Sequence, residues 1–259
     1  MKRLRLIACD LDRTLLREDK TFSPYTLSVL ERCRALGILF VPATARPPRT
    51  LEGLIPSLTY DGALCHNGGV ALFGGKIMWE QGIASDLAAR LLLQFQEEFP
   101  GTTISAEMGG ELYANFPAET IWKDIAAYHR SDFSNLPGCP AEKLILGLTA
   151  PEQVQRVEAL LPPELYAQVA ENTILTIQPR GVNKGAGLFA LCEKLSISPE
   201  ETVSFGDDWN DIPLLQTSGT GVAVENALPE VKAIANEVCA SNEADGPAHW
   251  LEERLFPGE

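Results

Sequence analysis

Two carboxylates stand one residue apart at the end of an apolar stretch near the start of the chain. The run Leu4–Cys9 gives way directly to Asp10-Leu11-Asp12. Aspartate is common where a strand ends, so the pair could form an ordinary solvated turn. The pair also suits a site in which one carboxylate acts on a bound group while the other assists.

Two more polar clusters follow apolar stretches elsewhere in the chain. Thr44-Ala45-Arg46 comes after residues 38–43, and the sequence GDDWND at 206–211 comes after Thr202–Phe205. Ligands of an open parallel sheet bind beyond the carboxyl ends of its strands. If these stretches are strands of one such sheet, four carboxylates converge at its edge: Asp10, Asp12, Asp207 and Asp211.

That many carboxylates need a cation, because anions in a small site repel one another and lose hydration. The three histidines have no ligand spacing and the six cysteines contain no C-x-x-C pair, which disfavours zinc. Oxygen ligands alone favour a hard ion, with Mg²⁺ as the first choice. The sequence therefore predicts a magnesium site built from these four aspartates.

Donors for a phosphoryl group stand near the predicted ends of strands and helices. Thr44 offers a hydroxyl at a strand end, although it could equally cap a helix. Lys184 stands at a predicted helix start, where backbone N–H groups favour anions, although it could be a solvated lysine. Arg46 could hold an anionic end of a substrate or pair with an acidic neighbour. Asn67 could face the site or belong to an ordinary Asn-Gly-Gly turn.

The elements around these residues alternate as in a parallel sheet. Leu4–Cys9 is typical of a strand buried on both faces, Ser23-Pro24 begins a helix that ends at Gly37, and Ile38–Val41 is a second strand. The C-terminal part repeats the pattern, with elements predicted at Lys184–Leu195, Thr202–Phe205, Ile212–Thr217, Gly221–Val224 and Leu228–Ala235, and a capped turn at Ser198–Glu201. Such alternation predicts an α/β fold.

The middle of the chain follows a different pattern. Val70–Phe73 and Lys76–Trp79 flank Gly74-Gly75, which predicts a hairpin. Less regular elements follow, with helices predicted at Leu87–Phe99, near Ile121 and at Val154–Leu161, and strands near Ile104 and Leu112 and at Leu144–Leu148 and Ile174–Gln178. The fold class is therefore α/β, with a Rossmann-like parallel-sheet core formed by residues 1–81 and 181–259 and an inserted α+β domain at 82–180.

Composition restricts the class of ligand. The chain has 259 residues, 45% of them hydrophobic, and a formal net charge of −14, which disfavours nucleic acid and anionic membranes but not a small phosphorylated ligand. No run approaches the ~20 apolar residues of a membrane span, and the first apolar run is too short for a signal peptide. The cysteine pattern favours a reducing cytoplasm over a disulfide framework.

The motifs "DLDRTL", "TAR", "VNKG" and "GDDWND", in that order, resemble the four motifs of the haloacid-dehalogenase superfamily of phosphohydrolases. Within this superfamily the sequence most resembles the Cof-type subfamily, whose large α/β cap domain lies between the second and third motifs. "HNGG" at 66–69 and the stretch 221–246 also resemble that subfamily. The resemblance covers both ends of the chain well and implies that the insert is a cap domain, which it matches by position and length.

The resemblance implies a role for each motif residue. Asp10 would be the nucleophile that forms an aspartyl-phosphate. Asp12 would be the general acid and then the base, and its backbone carbonyl would bind Mg²⁺. Thr44 and Lys184 would hold the transferring phosphoryl group.

In the last motif, Asp207 would ligate Mg²⁺ directly, Asp211 would support Lys184 and the waters of the metal, and Asn210 would assist. The chain departs from the family pattern at Arg13 and Ala45, where the family usually has glycine. Neither departure removes a reacting group, so both concern fine geometry and substrate preference.

The sequence thus predicts a Mg²⁺-dependent phosphomonoesterase of the cytoplasm that acts on small phosphorylated metabolites, with sugar phosphates as the expected class. A phosphotransferase or mutase with the same intermediate is an alternative, as is a phosphate-binding sensor without turnover. Asp12 argues against the sensor, because a pure phosphoryl acceptor needs no acid or base beside it. The sequence names neither the substrate, nor the specificity residues of the cap, nor the oligomeric state.

Overall fold

The computed structural model describes residues 3–123, 125, 127–170 and 173–258. The strands, in chain order, are β1 (Leu6–Cys9), β2 (Leu39–Pro42), β3 (Gly62–Cys65), β4 (Val70–Phe73), β5 (Lys76–Glu80), β6 (Ile104–Met108), β7 (Glu111–Ala114), β8 (His129–Arg130), β9 (Ala141–Gly147), β10 (Leu165–Ala170), β11 (Ile174–Pro179), β12 (Thr202–Gly206), β13 (Thr220–Val224) and β14 (Glu237–Cys239). The α-helices are α1 (Pro24–Ala35), α2 (Leu51–Leu54), α3 (Ser85–Glu98), α4 (Glu152–Leu160), α5 (Lys184–Leu195), α6 (Ile212–Thr217), α7 (Pro229–Ile234) and α8 (Gly246–Leu255).

The chain forms two compact units, Met1–Glu80 with Val182–Glu259 and, between them in sequence, Gln81–Gly181. The first unit contains a parallel sheet with strand order β14-β13-β12-β1-β2. It also contains the antiparallel sheet β3-β4-β5, and Gly74 and Gly75 supply the positive φ angles of the predicted β4–β5 hairpin.

Strand β1 lies between β2 and β12 and is buried on both faces, as its apolar sequence predicts. On one face, Ile7 and Cys9 belong to a core cluster that includes side chains of α1 and α8. On the other face, Leu6 and Ala8 belong to a cluster with side chains of α5 and α6. Packing on both sides fixes the carboxyl end of β1 and therefore the backbone position of Asp10.

The second unit is a six-stranded sheet with strand order β10-β11-β9-β6-β7-β8, antiparallel except between β7 and β8. Helices α3 and α4 share one core cluster with alternate residues of β6, β9 and β11. The residues that alternate with these apolar ones in β6 and β11 place polar side chains on the opposite face of the sheet. They are Ser105, Glu107, Thr176 and Gln178. The predicted fold class, a parallel-sheet core with an inserted α+β cap, is confirmed.

One element of the cap differs from the sequence prediction. The helix predicted near Ile121 is wrong for the described residues of this segment, which exclude 124 and 126, because the chain forms only a 3₁₀ turn over Ala118–Thr120. Thr120 and Ile121 are both β-branched and favour helix less. Phe116 is buried in a small cluster with side chains of β7, so the apolar residues here pack against that strand without regular periodicity.

Helices α2 and α8 and strands β8, β10 and β14 have no counterpart in the predicted elements. Among the described residues, no helix combines the length and the apolar character that crossing a bilayer would need.

Candidate active site

A buried lysine joins two of the predicted aspartates. Lys184 begins helix α5 directly after the N-cap residue Asn183, whose side chain accepts a hydrogen bond from the backbone N–H of Ala186. Its Nζ donates to Oδ1 of Asp10 and to Oδ1 of Asp211, each at 2.6 Å, and the Lys184 side chain has no exposed surface. The helix start thus supplies a fixed cation to the end of β1.

The segment after β12 supplies the other carboxylates. Asp211 Oδ2 accepts hydrogen bonds from the backbone N–H groups of Asp207 and Asp208, at 2.9 and 3.1 Å, which fold this segment tightly after the strand. Asp207 Oδ1 accepts a hydrogen bond of 3.0 Å from Thr14 Oγ1, so the first and last motifs are linked directly. Asp10, Asp207 and Asp211 each present a carboxylate oxygen, and these atoms all lie within 4.8 Å of one another.

The electrostatics of this group match a divalent cation. Burial raises the pKa of Asp10 well above its ordinary value, although the charge of Lys184 opposes the rise. Burial and the neighbouring Asp211 raise the pKa of Asp207 to about 6. When all three carboxylates are ionised, one ammonium group leaves two buried negative charges uncompensated. The donor set is all oxygen, so its charge and chemistry fit Mg²⁺.

The carboxylate of Asp12 does not join this group. Its Oδ1 accepts hydrogen bonds from Lys20 Nζ at 2.8 Å and from Arg46 Nη2 at 2.9 Å, and its Oδ2 accepts one from Arg46 Nε at 2.8 Å. Burial would raise the pKa of Asp12, but the hydrogen bonds and charges of Arg46 and Lys20 prevail and lower it to about 2. The expected convergence of four carboxylates is therefore wrong for Asp12, because two cations draw its side chain to a different set of partners.

The second motif contributes a buried hydroxyl and the arginine that binds Asp12. Thr44 Oγ1 accepts a hydrogen bond of 3.1 Å from the backbone N–H of Arg46, which ties the two residues together after β2. Thr44 is buried, whereas the side chain of Arg46 is 37% exposed and open to solvent. Of the two readings of Arg46 from sequence, the structure contains the pairing with an acidic neighbour, and contact with a substrate stays a prediction.

Asn67 and Asn210 meet although they are far apart in sequence. Asn210 Nδ2 donates a hydrogen bond of 3.0 Å to Asn67 Oδ1, which joins the loop after β3 to the loop after β12. His66, Asn67 and Gly68 all have positive φ angles. A β carbon at Gly68 would lie 2.3 Å from the carbonyl oxygen of Asn183, so only glycine allows this loop to rest on the start of α5.

The departure at position 13 is tolerated by the backbone. Arg13 has a φ angle of 64°, the left-handed conformation that glycine adopts most easily. Its carbonyl oxygen accepts a hydrogen bond of 2.7 Å from Asn226 Nδ2, which stabilises the turn from outside. The exposed guanidinium of Arg13 lies 3.3 Å from Glu18. The family-like turn after Asp12 is thus kept without glycine.

Two residues of this region were not found from the sequence. Thr14 lies within the first motif, four residues after Asp10, and its hydroxyl was the available signal. Lys20 carries no motif signal, because its contact with Asp12 depends on how the segment after the motif turns back. Arg180, at the end of the second unit, donates through Nε to the carbonyl oxygen of Pro163 of the same unit.

Comparisons with known proteins agree with the geometry. The family model of haloacid dehalogenase-like hydrolases matches residues 7–251. The chain is 28% identical over 268 residues, 96% of either protein, to the 5-amino-6-(5-phospho-D-ribitylamino)uracil phosphatase YitU of Bacillus subtilis. It is also 28% identical over 273 residues, 98% of either protein, to the HMP-PP phosphatase of Escherichia coli.

The fold is similar to that of a haloacid dehalogenase-like hydrolase from Bacteroides thetaiotaomicron, with a TM-score of 0.85 and 24% identity over 97% of this chain and 99% of the other. The two curated relatives are named phosphatases. Because the family model spans nearly the whole sequence, the chain belongs to the haloacid dehalogenase-like hydrolases.

Proposed function

We propose that the protein is a Mg²⁺-dependent phosphomonoesterase that hydrolyses small phosphorylated metabolites through an aspartyl-phosphate on Asp10. The observation that carries the proposal is the buried group formed by Asp10, Asp207 and Asp211 around Lys184 at the end of β1. A buried carboxylate held by a lysine and placed beside an oxygen-only cation site suits nucleophilic attack on phosphorus.

In the first half of the reaction, a carboxylate oxygen of Asp10 attacks the phosphorus and the bond from phosphorus to the ester oxygen breaks. For this step Asp12 must carry a proton, although its contacts with Arg46 and Lys20 lower its pKa to about 2 when no substrate is bound. It donates that proton to the leaving oxygen, which departs as an alcohol. The products of this half are the mixed anhydride on Asp10, the free alcohol and ionised Asp12.

In the second half, ionised Asp12 takes a proton from a water molecule while the oxygen of that water attacks the phosphorus. The bond between phosphorus and Asp10 breaks and inorganic phosphate leaves. Lys184 and Thr44 hold the phosphoryl oxygens during both transfers, and Lys184 also keeps the attacking oxygen of Asp10 in place. Asp12 is thereby returned to its protonated form, and the cycle balances.

Asp10, Asp207 and the backbone carbonyl of Asp12 would hold Mg²⁺, with Asp211 supporting the metal's waters and Lys184. When bound, the ion supplies positive charge that offsets the buried carboxylates and the phosphoryl oxygens. Asn67 and Asn210, joined to each other, would line the phosphate site.

The proposed substrate is a phosphate ester of a polyhydroxylated metabolite such as a sugar, in the cytoplasm. The Bacillus subtilis relative is named for a substrate whose phosphate is carried on a ribityl group, which supports a polyol ester. The formal charge of −14 supports a small ligand over nucleic acid or an anionic membrane. In this proposal the cap, residues 82–180, selects the substrate.

A screen of phosphorylated metabolites with Mg²⁺ tests the proposal, with the Asp10→Asn variant as the matched control. We expect inorganic phosphate to be released catalytically by the unchanged protein and not by the variant. Transfer of the phosphoryl group to a second metabolite instead of water would favour a phosphotransferase or mutase. One stable phosphoryl adduct per chain, without release, would favour a sensor.

A further inference from the structure

We propose that Lys20 is a positioning residue for Asp12, and that the turn carrying it exists to keep that carboxylate in one orientation. This inference rests on the proposed role of Asp12 in proton transfer. Lys20 contacts Asp12 only through the 2.8 Å bond from its Nζ to Oδ1, and Lys20 is eight residues further along the chain. None of the four sequence motifs includes it.

The two cations on Asp12 act differently. Arg46 binds both carboxylate oxygens through Nε and Nη2, which fixes the plane of the carboxylate and its distance from the second motif. Lys20 binds only Oδ1, and it belongs to the segment that follows Asp12 in the chain. The side chains of Lys20 and Arg46 are both partly exposed, 46% and 37%, and their two contacts together tie Asp12 to the second motif and to its own segment.

The backbone of the turn is shaped to bring Lys20 back to Asp12. The N–H of Arg17 donates to the carbonyl of Thr21 at 2.8 Å, and the N–H of Lys20 donates to the carbonyl of Arg17 at 2.9 Å. Lys20 has a φ angle of 65°, a left-handed conformation that costs free energy for a residue with a β carbon. Asp19 Oδ1 accepts hydrogen bonds from both the backbone N–H and the hydroxyl of Thr21, which closes the turn.

The C-terminal segment anchors this turn from outside. Asn242, itself buried, donates through Nδ2 to the carbonyl of Leu16 at 2.9 Å. The backbone N–H of Glu18 donates to Glu243 Oε1 at 2.8 Å, and Arg17 forms an ion pair of 3.1 Å with Asp245. Three contacts from a segment more than 200 residues away thus hold the turn that carries Lys20.

The chemical consequence concerns the leaving group. An acid must lie within hydrogen-bond distance of the oxygen that it protonates, and a displacement of about 1 Å can cost on the order of 100-fold in rate. Within the part of the chain that the structure describes, loss of Lys20 leaves Arg46 as the cation bound to Asp12, and the carboxylate can then adopt more than one orientation. The loss should therefore appear in kcat and only for esters whose leaving group needs a proton, because Lys20 acts through Asp12.

The test compares Lys20→Met, Lys20→Arg and the control Lys76→Met, an exposed lysine of β5, on an alkyl phosphate and an aryl phosphate. For Lys20→Met we expect kcat to fall about tenfold with the alkyl ester and much less with the aryl ester, with KM unchanged. Lys20→Arg should recover part of the loss, and Lys76→Met should change neither substrate. In an Asp12→Ala background, Lys20→Met should have no further effect on the ratio of the two rates.

A crystal structure of Lys20→Met gives a second measurement that does not depend on turnover. We expect the Asp12 carboxylate to occupy more than one rotamer. An Asp12 side chain unmoved in that structure, or equal losses with both esters, would overturn the inference. If the unchanged protein hydrolyses neither ester, the proposed function fails, and the rotamer of Asp12 in the variant still decides whether Lys20 positions it.

Discussion

Lys184 Nζ lies 2.6 Å from a carboxylate oxygen of Asp10 and 2.6 Å from one of Asp211, and no part of the lysine side chain is exposed. The lysine is thus both an electrostatic partner of the proposed nucleophile and a structural link between the first and last motifs. Because the pair is buried, removing the cation leaves carboxylates without compensation in a poorly hydrated place.

Lys184→Met should destabilise the protein and abolish turnover. Breaking a buried ion pair from one side typically costs about 3–5 kcal/mol, because the remaining charge stays buried. Chemical denaturation without metal should show this loss in the free energy of unfolding. Lys194→Met, at the exposed end of the same helix, is the matched control and should change stability little. A Lys184→Met protein as stable as the control would contradict the electrostatic account.

Asp10→Asn should abolish turnover without unfolding the protein. The amide keeps the shape of the side chain but cannot form the aspartyl-phosphate. Burial, together with repulsion from Asp211 and Asp207, raises the pKa of Asp10 more than Lys184 lowers it, so a neutral amide at this position removes a charge that is unfavourable on balance. The free energy of unfolding without metal should therefore not fall, which denaturant titration measures. Comparable turnover by the purified, metal-loaded variant would exclude covalent catalysis through Asp10.

Asp12→Ala should slow the hydrolysis of alkyl phosphates far more than that of activated aryl phosphates. General acid assistance is typically worth about 10²–10⁴-fold, and a good leaving group needs little of it. Steady-state kcat values for the two ester classes, measured on the same preparation, give the ratio directly. Equal losses for both classes would remove Asp12 from the role of acid.

The stabilisation of the protein by Mg²⁺ should grow as pH rises from 5 to 7. Burial and Asp211 raise the pKa of Asp207 to about 6, so without metal the native state holds this proton more tightly than the unfolded chain does. Stability without metal then falls as pH rises from about 4 to 6, while the ionised carboxylate gains affinity for the ion. The increase in Tm on adding Mg²⁺, measured across this range, checks the sign.

Asp207→Asn should remove most of that Mg²⁺-induced increase in Tm at pH 7, and Asp208→Asn should not. The two aspartates are adjacent, but Asp207 is buried and belongs to the carboxylate group, whereas Asp208 accepts a hydrogen bond from the backbone N–H of Trp209. Greater harm from Asp208→Asn would show that the metal ligands in the segment 206–211 are assigned in the wrong register.

Four of the five strands of the parallel sheet could be predicted from sequence, because each is a short apolar run that ends in a polar turn. The fifth, β14, has only three residues, one of them Glu237, and was not predicted. The helix Lys184–Leu195 was predicted with its observed bounds, since Asn183 caps it and its apolar positions recur with helical period. The helix predicted near Ile121 is wrong, because the described apolar residues there pack against β7 and do not form one face of a helix.

The candidate site was predictable only in part for a related reason. The strand ends bring Asp10 and Asp207 together, and the register of the sheet determines that juxtaposition. The direction in which Asp12 points depends on the side chains of Lys20 and Arg46, which approach it from two different segments. The periodicity of apolar residues predicts helices and strands but not which charged side chains pair, so the ion pairs of Asp12 are known only from the structure.

The cap should determine which phosphoester is accepted, while the core determines whether the chemistry occurs. All four motifs lie outside the insert, and the cap sheet has one face packed on α3 and α4 and another that carries polar side chains. In the proposed function the cap, residues 82–180, selects the substrate, and the polar face of its sheet includes Thr176 and Gln178 of β11.

We expect Thr176→Val and Gln178→Leu to change the relative kcat/KM among metabolite phosphoesters by about fivefold, since each removes hydrogen-bonding groups worth on the order of 1 kcal/mol. Their effect on a small aryl phosphate should be much smaller. Arg90→Ala, at an exposed position of α3, is the control and should leave the ranking of substrates unchanged. Parallel assays on a good metabolite substrate and on the aryl phosphate measure both effects, and thermal unfolding shows that each variant is folded. If every impaired cap variant loses both activities in equal proportion, the cap is a structural part of the catalytic unit and does not select the substrate.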